Sequence, residues 1–321
     1  MELRGREAWP RRTPLVLLVG IAAVSSASIL IRWAGDPPNG VAPLAIAAWR
    51  VGLAGLLLVP LTAARGGFGS GGIGGWARRE ATLALVSGLL LAVHFAAWIG
   101  SLSLTTVASS VVLVTASPIW VSVGGVLLLG ERLTRLAAGG IAVTVAGTVL
   151  LALSDAPAAA AGPRDPLLGD ALAILGSIAV SGYMLIGRRL RRALPVGLYA
   201  QVVYGVAGVA LVLAALTAGS PLTGFPTVAL VPLVVLALGP QLLGHTSFNW
   251  ALRYLSAPFV AVVVLAEPIV ATLLAWLILG EALTSERLVA AAVILGGIYV
   301  VAREEGRTAG GPGGTDSAAS P

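Results

Sequence analysis

Residues 127–134 read LLLGERLT and residues 277–284 read LILGEALT, the same phrase 150 positions apart. The likeness runs backwards without a gap. Pro118-Ile119 stands before the first copy as Pro268-Ile269 stands before the second, and 8 of the 17 positions from Pro118 to Thr134 are identical to those from Pro268 to Thr284. An internal repeat constrains the architecture before any local pattern does. What this one means depends on the solvent around it.

That solvent is a bilayer. The 321 residues are 57% hydrophobic and 11% charged, with a mean hydropathy of +0.96, whereas soluble domains carry about 25% charged residues. So few charges cannot cover a water-soluble particle. Cysteine is absent, which excludes disulfides, thiolate metal sites and thiol catalysis. The net charge of +6 does not point to nucleic acid, because all 20 basic residues are arginines set in short gaps between apolar runs. Membrane proteins mark their cytoplasmic loops this way.

A membrane helix needs about 20 largely apolar residues. Ten stretches qualify, roughly 14–34, 41–62, 80–100, 104–129, 134–153, 167–187, 197–218, 228–251, 256–280 and 286–302, the last being short. PRR at 10–12 before an apolar run resembles a secretory signal, but the run is of full span length and nine more follow, so it reads as a retained helix. With the N-terminus inside, 16 arginines fall on the cytoplasmic side, against Arg32, Arg164 and Arg287 outside and Arg50 within a helix. The expectation is a multi-pass protein of the cytoplasmic membrane with both termini cytoplasmic.

The two phrases then follow helices four and nine. An odd number of spans separates them, so they face opposite sides. The predicted fold is all-α: ten transmembrane helices forming two inverted five-helix repeats, at 14–153 and 167–302. A cytoplasmic segment 1–13, an outer linker 154–166 and a disordered cytoplasmic tail 303–321 complete the chain. Inverted repeats are the build of secondary transporters, whose halves rock about a midplane site.

At these residues the sequence resembles the EamA family of the drug/metabolite transporter superfamily. The likeness rests on the paired LGE-x-LT phrases and on their lead-ins, SLSLTTVASSVVLVTASP at 101–118 and ALRYLSAPFVAVVVLAEP at 251–268. The resemblance implies a ten-helix carrier of small organic solutes, commonly an exporter of amino acids or other metabolites. It also implies a central cavity built from helices three, four, eight and nine.

Ionisable groups inside a span are costly and are functional candidates by default. Four qualify: Arg50, His94, His245 and Glu267. Glu267 precedes Pro268, whose missing donor loosens the helix and frees a carbonyl. A carboxyl at low dielectric is far cheaper to hold protonated, so Glu267 either couples proton binding to substrate movement or hydrogen-bonds a neighbouring helix. Arg50 either faces the cavity, pairing with a substrate carboxylate or with Glu267, or snorkels toward a headgroup. Gln241, His245 and Asn249 recur every four residues as one polar stripe, which lines the cavity or packs against another helix. His94 shares a face with Trp98, and Ser117 with Trp120; each aromatic is open to a substrate-stacking or a packing role.

Pro118, Pro268 and Pro240 are candidate hinges. Gly130, Glu131, Gly280 and Glu281 belong to the helix-end phrases, where the glutamates cap or hydrogen-bond the adjacent helix. Gly140, Gly147 and Gly297 are read as scaffold or dimer contacts, leaving a homodimer open. The GSGGIG stretch at 69–74 fits a dinucleotide fingerprint but has no strand before it, and no P-loop or hydrolase motif occurs. No metal or cofactor is expected. The predicted function is secondary transport of a small-molecule substrate by alternating access. The rivals are an uncoupled channel-like facilitator and an integral-membrane enzyme.

Overall fold

The structure, a computed structural model, describes residues 10–35, 37–69, 71–105, 110, 113–155, 165–279 and 283–309. Every regular element among them is helical, as lipid requires, since an apolar medium leaves backbone groups no partner outside their own segment. Eight stretches are long and apolar enough to cross a membrane: Thr13–Gly35, Pro43–Ala64, Arg78–Ser101, Pro166–Arg191, Val196–Thr217, Thr227–Ala251, Ala257–Leu274 and Ser285–Arg307. Two further stretches read from the sequence are present as shorter apolar helices, Ser117–Leu129 and Arg135–Leu151. Gly280 and Glu281 of the second phrase lie outside the described residues.

The first half comprises α1 (Thr13–Ser25), α2 (Ala27–Gly35), α3 (Pro43–Ala64), α4 (Arg78–Ser101), α5 (Ser117–Leu129) and α6 (Arg135–Asp155). The second comprises α7 (Pro166–Arg191), α8 (Val196–Thr217), α9 (Thr227–Leu236), a π-helical segment over Ala237–His245, α10 (Thr246–Ala251), α11 (Ala257–Val264), α12 (Glu267–Leu279) and α13 (Ser285–Ala309). Two sequence boundaries move. α7 runs on to Arg191, and α13 passes Arg303, where a disordered tail was expected, through to Ala309. The second extension follows from Glu304 and Glu305, which are buried and hydrogen-bonded rather than solvated.

The repeated phrase now has a mechanical reading. Gly130 ends α5 with φ +63°, a left-handed conformation that costs an L side chain about 1–2 kcal/mol. The reversal lets Glu131 N–H donate to the Gly125 carbonyl at 3.0 Å and turns the Glu131 side chain into the bundle. Thr134 then caps α6, its hydroxyl accepting from Ala137 N–H at 3.1 Å. Thr284 does the same for α13, accepting from Arg287 N–H at 3.4 Å. Helix stop, inward carboxylate and next cap account for three letters of the first copy.

α6 and α13 cross closely at their glycines. A Cβ built on Gly297 would meet Thr144 Oγ1 at 2.2 Å and the Gly140 carbonyl at 2.7 Å, and one on Gly147 would meet Ile294 at 2.8 Å. The glycines read as scaffold or dimer contacts are therefore occupied within the chain. Contacts also define two ends of the bundle. At an arginine-rich end, Thr134 donates to Glu304, Ser256 to Glu305, and Arg12 lies over the Trp250 ring. At the opposite end, Thr105 donates to Asp170 and Asn39 to the Trp33 carbonyl.

Candidate functional site

Several apolar stretches are interrupted at mid-depth, and the interruptions surround one cavity. The stretch 13–35 breaks at Ser26, and 257–279 breaks at Leu265-Ala266, where i→i+3 bonds from Leu265 and Ala266 to the Val262 and Val263 carbonyls replace the α-helical ladder. Pro268 cannot donate, so the helix restarts with it near its N-terminus, where a missing N–H costs nothing; Pro118 does the same for α5. The carbonyls at the equivalent positions Ser117 and Glu267 are each held by a serine of the other half. Ser181 donates to Ser117 O at 3.2 Å, and Ser25 to Glu267 O at 3.1 Å. The third expected hinge, Pro240, sits inside the π-helical segment, whose widened turn accommodates a residue without N–H.

The cavity measures about 1140 Å³ and draws on both halves. Its mouth lies at the end opposite the arginines, where the exposed Pro37 and Pro38 line it together with Val228 and Arg287. Toward the arginine-rich end its lining stops at the buried Met184, Asn249 and Leu252, which make its floor. The third, fourth, eighth and ninth expected spans (α4, α5, α9 with α10, and α11 with α12) contribute, as the resemblance implied, and so do α1 to α3 and α7.

Arg50 is the buried cation of the site, 1% exposed. Its Nε donates to Gln241 Oε1 at 3.1 Å, and its guanidinium carbon lies 4.3 Å from the centre of the Phe95 ring. Nη1 is buried without a hydrogen-bond partner. A desolvated guanidinium with spare donors is a receptor for a carboxylate. The snorkelling alternative is thereby excluded, since the side chain points into the protein. Glu267 lines the same cavity, close enough for the two charges to act on each other, and no hydrogen bond or ion pair joins them among the described residues.

An aromatic wall flanks the two charges. His94 stacks on Trp98 with centroids 5.9 Å apart and 11° between the planes, and Phe95 meets His245 edge-on at 5.4 Å. His94 Nδ1 is bonded to the Gly176 carbonyl at 2.9 Å, so it is the protonated nitrogen and Nε2 is left as an acceptor. His245, Trp98 and Ser117 also line the cavity.

The polar stripe divides its labour. His245 faces the cavity, Gln241 is fully buried against Arg50, and Asn249 bonds Tyr183 at 2.6 Å and Tyr204 at 3.2 Å. Trp120 stands apart: it is 42% exposed and is not among the lining residues.

Sequence reasoning missed two groups. One is the tyrosine layer of Tyr183, Tyr199 and Tyr204, buried on α7 and α8. The other is Arg188 and Arg191, read as loop charges but 2% exposed each. Their spacing of three on a helix, with Arg189 and Arg192 on the far face, was the available signal.

Comparison with known proteins agrees with this architecture. One solved crystal structure superposes with a TM-score of 0.73 at 19% identity, over 92% of this chain and 99% of that one. At that identity the likeness speaks for the fold alone. No curated protein matches the chain. The model of the EamA-like transporter family matches twice, over residues 13–153 and 167–303. Those two matches cover most of the polypeptide and each contains one copy of the repeated phrase, so the chain belongs to the EamA-like transporter family, within the drug/metabolite transporter superfamily.

Proposed function

We propose that this chain is a secondary transporter of small metabolites that works by alternating access. The observation carrying the reading is the cavity: among the described residues it holds the buried cation Arg50 and the carboxyl of Glu267, reaches one end of the bundle, and stops at the Met184–Leu252 floor before the other. In this reading the chain crosses the membrane ten times as two inverted halves, both termini are cytoplasmic, and the mouth faces outward. Two features support the inversion. The serine contacts to Ser117 O and Glu267 O are reciprocal between halves, and α5 runs toward the arginine-rich end while α12 starts near mid-depth and runs away from it.

Arg50 takes the substrate carboxylate and Glu267 exchanges a proton with the cavity as the substrate moves. Each then holds a partner in only part of the cycle, which is what coupling requires. Amino acids as cargo, and export as the direction, rest on the family likeness alone. The test is a metabolite panel in reconstituted vesicles at two pH values. Saturable flux of a carboxylate solute that follows a pH gradient supports the proposal; flux indifferent to the gradient favours an uncoupled pathway.

A further inference from the structure

Below the cavity floor, three helix ends are tied by one side chain. Arg188, near the end of α7, donates from Nε to Glu131 Oε1 at 3.1 Å. Its Nη1 donates to the carbonyls of Leu252 at 2.8 Å and Arg253 at 3.0 Å, just past the end of α10. Arg191, one turn on, donates to the Asn249 carbonyl at 3.0 Å. The guanidinium thus joins α5, from the first half, to α10, from the second. Leu252 belongs to the floor itself, so the tie and the floor share a residue.

The tie is buried and incompletely satisfied. The Arg188 and Glu131 side chains are 3% and 6% exposed, yet Glu131 Oε2 has no hydrogen-bond partner. A buried pair in this condition gains little net free energy over separation into water, which suits a contact that must break. Among the described residues, no counterpart of Arg188 stands at the opposite end. Helices α3 and α8 correspond at an offset of 153, from Pro43 to Val196 and from Ala64 to Thr217. At that offset Gly35 and Pro38 stand where Arg188 and Arg191 do.

The geometry points to Arg188 as the latch of the arginine-rich end: its bonds to Glu131 and to the α10 carbonyls hold the floor shut, and their rupture is the step that opens the cavity to that face. The tie is made in the state whose cavity opens at the other end. The inference rests on the transporter reading, and it gives the glutamate of the first LGE phrase a task beyond ending a helix.

The absence of cysteine makes the test direct. A single Met184→Cys substitution places a thiol on the floor, and a membrane-impermeant maleimide is applied to right-side-out and inside-out membrane vesicles. The parent is expected to label from the mouth face only. Adding Glu131→Gln, or the neutral pair Glu131→Gln with Arg188→Gln in case a lone buried charge unfolds the chain, should raise labelling from the arginine-rich face by about tenfold. Unchanged one-sided labelling in both variants, with the protein still folded, overturns the latch and leaves the transporter reading standing. Labelling of the parent from both faces overturns both.

Discussion

Arg50 and Gln241 meet in the middle of the bundle, 191 residues apart in sequence, through one hydrogen bond from Nε to Oε1 at 3.1 Å. Gln241 is fully buried and supplies the hydrogen-bond acceptor that the guanidinium has. Replacing it by leucine strands a buried charged donor, a loss of about 1–3 kcal/mol. Gln241→Leu should lower the melting temperature in detergent, and Gln241→Glu, which restores an acceptor, should recover it.

Arg50→Gln keeps polarity at the site but removes the charge that attracts a carboxylate. For whichever solute the vesicle panel identifies, affinity should fall by about a hundredfold, the order expected when one member of a buried charged contact is lost. Isothermal titration checks this. Near-normal affinity would remove Arg50 from the binding site.

Glu267→Gln retains shape and hydrogen bonding but cannot exchange a proton. Flux driven by a pH gradient should vanish, while exchange of labelled for unlabelled substrate at uniform pH should persist. Unchanged flux with unchanged pH dependence would leave Glu267 a structural role only.

Gly297→Val probes the scaffold. Its side chain would collide with Thr144 and the Gly140 backbone, and overpacking of this kind costs about 1–3 kcal/mol. Thermal stability should fall accordingly, and Gly296→Val should be nearly neutral, because a Cβ at Gly296 meets nothing within 4 Å.

The two-fold internal likeness and the apolar spans were legible because lipid imposes a simple grammar: long apolar runs, short gaps, and arginines at one set of ends. Arg50, His94, His245 and Glu267 were legible for the same reason, being expensive where they stand. Other features depend on distances that no local pattern contains. The Gln241 stripe was sound in its period, but the π-helical widening assigned its members to different partners. Trp120 obeyed the helical period of Ser117, yet α5 turns it outward. Arg188 and Arg191 looked like loop charges because they sit in RRLRR, and only the tertiary fold brings Glu131 and the α10 carbonyls to them.

The glycine seam of α6 and α13 has a consequence for movement. Backbones in direct contact, as at Gly140 and Gly297, can neither slide nor separate without creating a clash or a void. Any tilting of one half against the other must therefore take this seam as its fulcrum. Spacing across residues 147 and 294 would stay fixed while the halves tilt about them.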